Sequence, residues 1–118
     1  MRTRRSASAL YVAEKRGKIW VIENGVRLAA PFINIGVEVN GNADRGSLGL
    51  ALHPEFPDTP WVYILYTYDP PETIGASGAL GHNGKGQRVA RMIRVTANAA
   101  TNYNTAVPGS EVVLLGTN

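Results

Sequence analysis

The sequence predicts an all-β chain: antiparallel four-stranded sheets arranged as blades of a β-propeller, with about one and three-quarter blades present. Three observations predict it. The apolar runs are short and bounded by Gly, Pro, Asn or charge, and none keeps a helical period. Asn24-Gly25 sits between two such runs, and this pair tolerates the positive φ angles of a type I′ hairpin turn. The chain also repeats itself. Leu10-Tyr11-Val12, Ile19-Trp20-Val21-Ile22 and Pro31-Phe32-Ile33 correspond in order and character to Val62-Tyr63-Ile64, Met92-Ile93-Arg94-Val95 and Val112-Val113-Leu114. The first pair lies 52 positions apart, within the range of propeller repeats.

Taken in order, residues 1–9 read as a basic, solvated arm. Residues 10–35 read as a partial first blade. Leu10–Ala13 is a strand, Lys15-Arg16-Gly17 a turn, and Lys18–Ile22 a second strand rich in β-branched and aromatic residues. Val26–Ala29 returns after the hairpin and ends at Pro31, with Phe32–Ile35 extending or capping it. The unit lacks an opening strand, since a blade is a four-stranded sheet that begins with its innermost strand.

Residues 36–118 read as an inter-blade connection and a complete second blade. The stretch from Asp44 to Phe56 organises the chain: a charged pair, a glycine, the run Ser47–Leu52, and a stop at Pro54. So short an apolar run, bounded by turn residues, is expected to be a strand buried on both faces. Gly49 within it marks a close approach of another backbone or a ligand. Trp61–Tyr68 is the clearest strand, ended by Asp69-Pro70-Pro71. The long Gly, Ala and Ser-rich loop 69–87 is of the kind that is functional or floppy. Arg88–Val95 and Glu111–Leu115 complete the blade. Two blades cannot close a ring, so unpaired edges and uncovered faces are expected, and with them either a larger parent chain of which this is a fragment or neighbours that the chain must borrow.

Composition narrows the function. The chain has 118 residues, 44% of them apolar, and no cysteine, which removes disulfides and thiolate metal sites. The net charge of +3 is concentrated at one end: Arg2, Arg4, Arg5, Lys15, Arg16 and Lys18 stand against Glu14 alone. The remainder is slightly acidic, so no nucleic-acid surface is indicated. Arg2, Arg4 and Arg5 are not followed by the apolar run of a signal peptide, and no stretch approaches a membrane span. Asp58, Asp69 and Glu72 match no calcium-loop spacing, and there is no P-loop, no H-E-x-x-H and no nucleophilic triad. Trp20, Trp61, Tyr63 and Tyr66 are expected to pack between blades, and His53 to make a structural hydrogen bond.

The string Leu10-Tyr11-Val12-Ala13-Glu14-Lys15-Arg16-Gly17-Lys18-Ile19, the string Asp44-Arg45-Gly46-Ser47-Leu48-Gly49-Leu50-Ala51-Leu52-His53-Pro54-Glu55-Phe56 and the later Val62-Tyr63-Ile64 resemble the glucose/sorbosone dehydrogenase family. There the family reads L-Y-V-T-E-R-x-G-R-I, then E-R-G-L-L-G-L-A-F-H-P-D-F, then a strand of the Y-V-Y type. Asp44 in place of Glu and Ser47 in place of Leu depart from the pattern. The resemblance spans Leu10 to Leu115, about the first third of the family's six-bladed propeller.

The resemblance implies a sugar dehydrogenase that uses pyrroloquinoline quinone (PQQ), with calcium, in the periplasm or outside the cell. It implies that Asp44 and Arg45 face the cofactor; the alternative is a local ion pair orienting the turn. Neither the general-base histidine nor the calcium ligands fall within these residues, so no catalytic or metal residue is assigned. The fragment alone is expected to be inactive. His82-Asn83-Gly84 imitates the family's histidine motif but falls in loop 69–87. His82 and Asn83 are therefore expected either at the substrate rim or in a solvated loop. The implied partners are a sugar substrate and the remaining blades. The rival reading is a non-catalytic extracellular propeller for carbohydrate or protein recognition.

Overall fold

The computed structural model describes residues 9–116, so most of the basic arm lies outside the described residues. Within them the chain is all-β, with four short 3₁₀ turns and two antiparallel sheets. In the first sheet, β1 (Ala9–Ala13) pairs with β2 (Lys18–Glu23), from Ala9 opposite Glu23 to Ala13 opposite Ile19. Asn24 and Gly25 turn the chain with φ of 53° and 79°, the left-handed pair that a type I′ hairpin needs. The return strand is broken in two: β3 (Val26–Arg27) pairs with one end of β2 and β4 (Ile33–Asn34) with the other. Pro31 falls in the break, where a residue without an amide hydrogen forfeits no ladder bond. Leu28 and Phe32 still donate their amides to Val21 and Ile19, so Phe32–Ile35 extends the strand.

The second sheet is a complete four-stranded meander, in the order β5 (Ser47–Leu52), β6 (Trp61–Thr67), β7 (Ala90–Thr96), β8 (Val112–Leu115). It is a whole propeller blade, and the first sheet corresponds to its last three strands. The sheets meet face to face. Alternation puts Tyr11, Ile19 and Val21 on one side of the contact and Val62, Ile64, Tyr66, Ile93 and Val95 on the other, all shut off from solvent. Burying each such side chain is worth about 1.5–3 kcal/mol. Direct bonds lock the layers: Ala106 N–H to the Phe32 carbonyl, Ser47 N–H to the Lys15 carbonyl, and the Tyr11 hydroxyl to the Tyr103 carbonyl.

Strand β5 is not buried on both faces. Its Leu50 and Leu52 turn toward the sheet contact, but Leu48 is 52% exposed and Ala51 is also exposed. The reason is positional: β5 is an edge strand that pairs only with β6, and no described residue layers over its far face. Leu48 sits in a bulge, where the register slips between Ser47 and Gly49. Gly49 does not mark a close approach of another backbone: a Cβ there would meet only the Leu65 side chain, at an ordinary contact distance of 3.6 Å. Of the four aromatics expected between blades, Tyr66 packs between these two sheets. Trp20, Trp61 and Tyr63 lie on the outward faces, where Arg27 covers Trp20 at 4.0 Å and Arg94 covers Trp61 at 3.9 Å. The other edge, β8, is exposed at every residue.

Candidate functional site

The connection from β4 to β5 and the long loop from β6 to β7 emerge at the same end of the second sheet and are stitched together. The connection begins with a 3₁₀ turn at Gly36–Glu38, and Val39 then bridges to Tyr68. Asn40 donates its amide to the Thr67 carbonyl, so the connection runs beside the end of β6. The next turn closes through Arg45 N–H on the Asn42 carbonyl. Gly46 follows with φ of 128°, and a Cβ there would stand 2.6 Å from the Lys15 carbonyl oxygen. Only glycine fits that position without strain. The sharp turn sends Arg45 outward just before β5 begins.

At the centre lies Asp69, 1% exposed. Its Oδ1 accepts from Arg88 Nε at 2.6 Å and from Asn40 Nδ2 at 3.0 Å; its Oδ2 accepts from the Asn83 backbone amide at 2.7 Å. Burial pushes this carboxyl up, but the hydrogen bonds from Arg88, Asn83 and Asn40 outweigh it and hold the group below the usual carboxylate range. Asn40 is itself fully buried and donates its second amide hydrogen to the Gly84 carbonyl at 2.9 Å. Arg88 also reaches the Gly81 carbonyl at 2.9 Å, tying down the near limb of the loop.

Arg45 engages the same loop from above. Its Nη1 donates to the Gly84 carbonyl at 3.1 Å and its Nη2 to the Lys85 carbonyl at 3.3 Å. It forms no ion pair with Asp44. Asp44 is exposed, and among the described residues its carboxylate has no hydrogen-bond partner. Arg45 lines an open cleft of about 810 Å³ together with Tyr68, Glu72, Thr73, Gln87 and Arg88.

His82 and Asn83 stand in this assembly, on the loop side. His82 Nε2 lies 2.9 Å from the Gly36 carbonyl oxygen and 3.8 Å from Asp69 Oδ2. Asn83 Oδ1 accepts from the Gly41 amide at 2.7 Å, and its backbone carbonyl accepts from Asn42 Nδ2 at 3.1 Å. The structure thus brings Arg45, His82 and Asn83 onto one stitched rim, with Asp44 at its outer side. Sequence reasoning missed Asn40, Asp69 and Arg88. A signal was present: counting the β6–β7 register outward from Thr67 opposite Ala90 places Asp69 opposite Arg88.

His53 lies at the far end of β5, where its Nδ1 accepts from the Glu55 amide, a structural bond as expected. Below the rim, the buried Tyr66 hydroxyl donates to Glu38, and Arg91 stacks on the Tyr68 ring at 3.5 Å. Burial, followed by the Glu38 carboxylate, pushes the Tyr66 phenol well above its ordinary value. No group of three metal-ligating side chains is assembled among the described residues, and none of their helices is long and apolar enough to cross a membrane.

Comparison with known proteins supplies the family. The model of the glucose/sorbosone dehydrogenase family matches residues 4–114, nearly the whole chain. The chain belongs to the glucose/sorbosone dehydrogenase family. Two solved structures share its fold. One is a glucose dehydrogenase, 13% identical, with a TM-score of 0.65 over 92% of this chain and 26% of the other. The second is an oxidoreductase from Thermus thermophilus described as a glucose dehydrogenase, 21% identical, with a TM-score of 0.59 over 93% of this chain and 27% of the other. The chain therefore spans about a quarter of the length of these two solved chains.

Proposed function

We propose that this family member is the opening part of a PQQ-dependent sugar dehydrogenase, and that its stitched rim forms one wall of the cofactor and substrate entrance. The observation that carries the reading is Arg45: a guanidinium fixed on two loop carbonyls while it lines an open cleft. PQQ is a polycarboxylate, and a pre-positioned arginine suits it because its planar fork meets carboxylates in charge-assisted pairs. Asp44 does not suit an anionic group, and its open carboxylate is better placed to accept a hydrogen bond from a sugar hydroxyl. His82 has one ring nitrogen on a backbone carbonyl, so its part at the rim is to shape the entrance.

When bound, the quinone would take the hydride released from the sugar's anomeric carbon. The proton acceptor for that step and the calcium ligands are assigned to later blades of the parent protein, and a periplasmic or extracellular location is part of the same proposal, supported by the family resemblance. This chain's share is positioning and electrostatics. In the full-length protein, Arg45→Ala is expected to weaken PQQ binding about tenfold, the loss of one charge-assisted pair, with little change in melting temperature. Unchanged affinity overturns the reading. The present residues alone, given PQQ, calcium and glucose, should reduce no dye, and clear turnover would relocate the chemistry.

A second reading, a propeller that recognises carbohydrate or protein without oxidising it, draws on Ile74 and Leu80, which loop 69–87 presents to solvent. Ligand binding without turnover by the full-length protein selects it.

A further inference from the structure

Loop 69–87 and the connection 36–46 are distant in sequence, yet they share one buried polar hub. The Gly84 carbonyl accepts from Asn40 Nδ2 on its buried side and from Arg45 Nη1 on its open side. Asp69 fixes what flanks that carbonyl. It holds Asn40 through Oδ1 and the Asn83 amide, one residue before Gly84, through Oδ2. Asn83 in turn caps the Gly41 amide from the connection. Gly84 is packed so closely that a Cβ would stand 2.5 Å from the Gly78 and Ala79 carbonyl oxygens, so no larger residue fits there.

We propose that Asp69 is a positioning residue, which through Asn40, Asn83 and the Gly84 carbonyl sets the direction of the Arg45 guanidinium and makes the loop and the connection one rigid rim. The inference rests on the reading of Arg45 as a cofactor-facing residue, and it adds the buried group that aims it. A carboxylate is the right side chain for the hub. It accepts several hydrogen bonds at once, and a cation is at hand in Arg88, so the buried charge is compensated. Each bond it receives comes from a different segment: the connection, the loop tip and the residues just before β7.

Amide hydrogen exchange on this chain tests the hub without any cofactor. In Asp69→Asn, the Asn83 and Gly41 amides are expected to exchange about tenfold faster, while Val62 and Ile64 in the doubly paired β6 keep their rates. Unchanged rates at Asn83 and Gly41 overturn the proposal, as does a uniform rise across β6, which marks general destabilisation. Should Asp69→Asn not fold, Asn40→Ala keeps the Arg88–Asp69 pair and the Asp69–Asn83 bond and removes only the Asn40 link. The Gly41 amide is then expected to exchange faster while Asn83 keeps its protection, and an unchanged Gly41 overturns the proposal. PQQ affinity of the full-length protein separates this inference from the reading beneath it. Loss of affinity in Arg45→Ala but not in Asp69→Asn overturns the positioning role. Full affinity in Arg45→Ala overturns the rim reading, while the exchange pattern still judges the hub.

Discussion

Asp69 and Arg88 face each other two residues beyond the ends of β6 and β7, with Arg88 Nε 2.6 Å from Asp69 Oδ1 and side chains 0% and 6% exposed. The pair continues the strand register past the last ladder residues, and Tyr68 N–H on the Val89 carbonyl is its last backbone rung. A hairpin that would otherwise splay into a long loop is closed by an ion pair.

Removing one member strands the other. Arg88→Met is expected to destabilise the chain by about 3–5 kcal/mol, as measured by urea unfolding, because it leaves a buried carboxylate uncompensated. The pH dependence follows from the direction of the Asp69 shift. Its folded value lies below the ordinary one, so its contribution is present above about pH 4 and is lost as pH falls through the folded value. Asp69→Asn should flatten that acid limb of the stability curve. A limb as steep as the parent's would mean that other carboxylates cause it.

Tyr66 governs the opposite limb. Its phenol is shifted upward by burial and by Glu38, so its contribution is complete below the ordinary tyrosine value, about 10, and is lost above it. Absorbance titration of the folded chain should therefore give the same amplitude up to pH ~11 in the parent and in Tyr66→Phe. The variant should also be less stable at neutral pH by about 1.5–3 kcal/mol, the loss of a hydrogen bond to a charged acceptor.

Gly46→Ala tests the turn that aims the rim. With φ of 128° and the Lys15 carbonyl oxygen 2.6 Å from the new methyl position, the substitution meets both backbone strain and a backbone clash. A loss of more than about 1 kcal/mol is expected, whereas Gly25→Ala, with open space around it, should cost less despite its positive φ. Equal losses would show that the clash is relieved by movement of Lys15.

The β8 edge should associate. Val112, Val113, Leu114 and Leu115 are 36% to 60% exposed on a strand with one free side. Sedimentation should reveal concentration-dependent self-association of this chain, reduced by Val113→Lys or Leu114→Lys, the charged device by which edges resist pairing. A strictly monomeric parent at high concentration would refute this.

The strands were legible because each is an apolar run cut by a turn residue, and the Asn24-Gly25 hairpin because its two residues accept the backbone angles the turn requires. The 52-residue echo between Tyr11 and Tyr63 revealed that one sheet repeats the last three strands of the other. The burial of β5 was misjudged because an apolar run does not record how many layers cover it: Leu48 and Leu52 look alike in sequence and differ in exposure. The hub was hidden for another reason. Asn40, Asp69 and Asn83 are ordinary loop residues until a hairpin register and a connection of unrelated sequence bring them together. Only the Asp69–Arg88 pairing could have been counted from the strands.

Nearly every bond joining the loop to the connection ends on main-chain atoms: Arg45 on two carbonyls, Asn83 on the Gly41 amide, Asn42 on the Asn83 carbonyl, His82 on the Gly36 carbonyl. The seam thus reads the course of the polypeptide and is indifferent to most of the side chains that decorate it. Ile74, Ala76 and Leu80, exposed on the loop, take no part in that seam, so exchanging them would repaint the surface while the frame stays put.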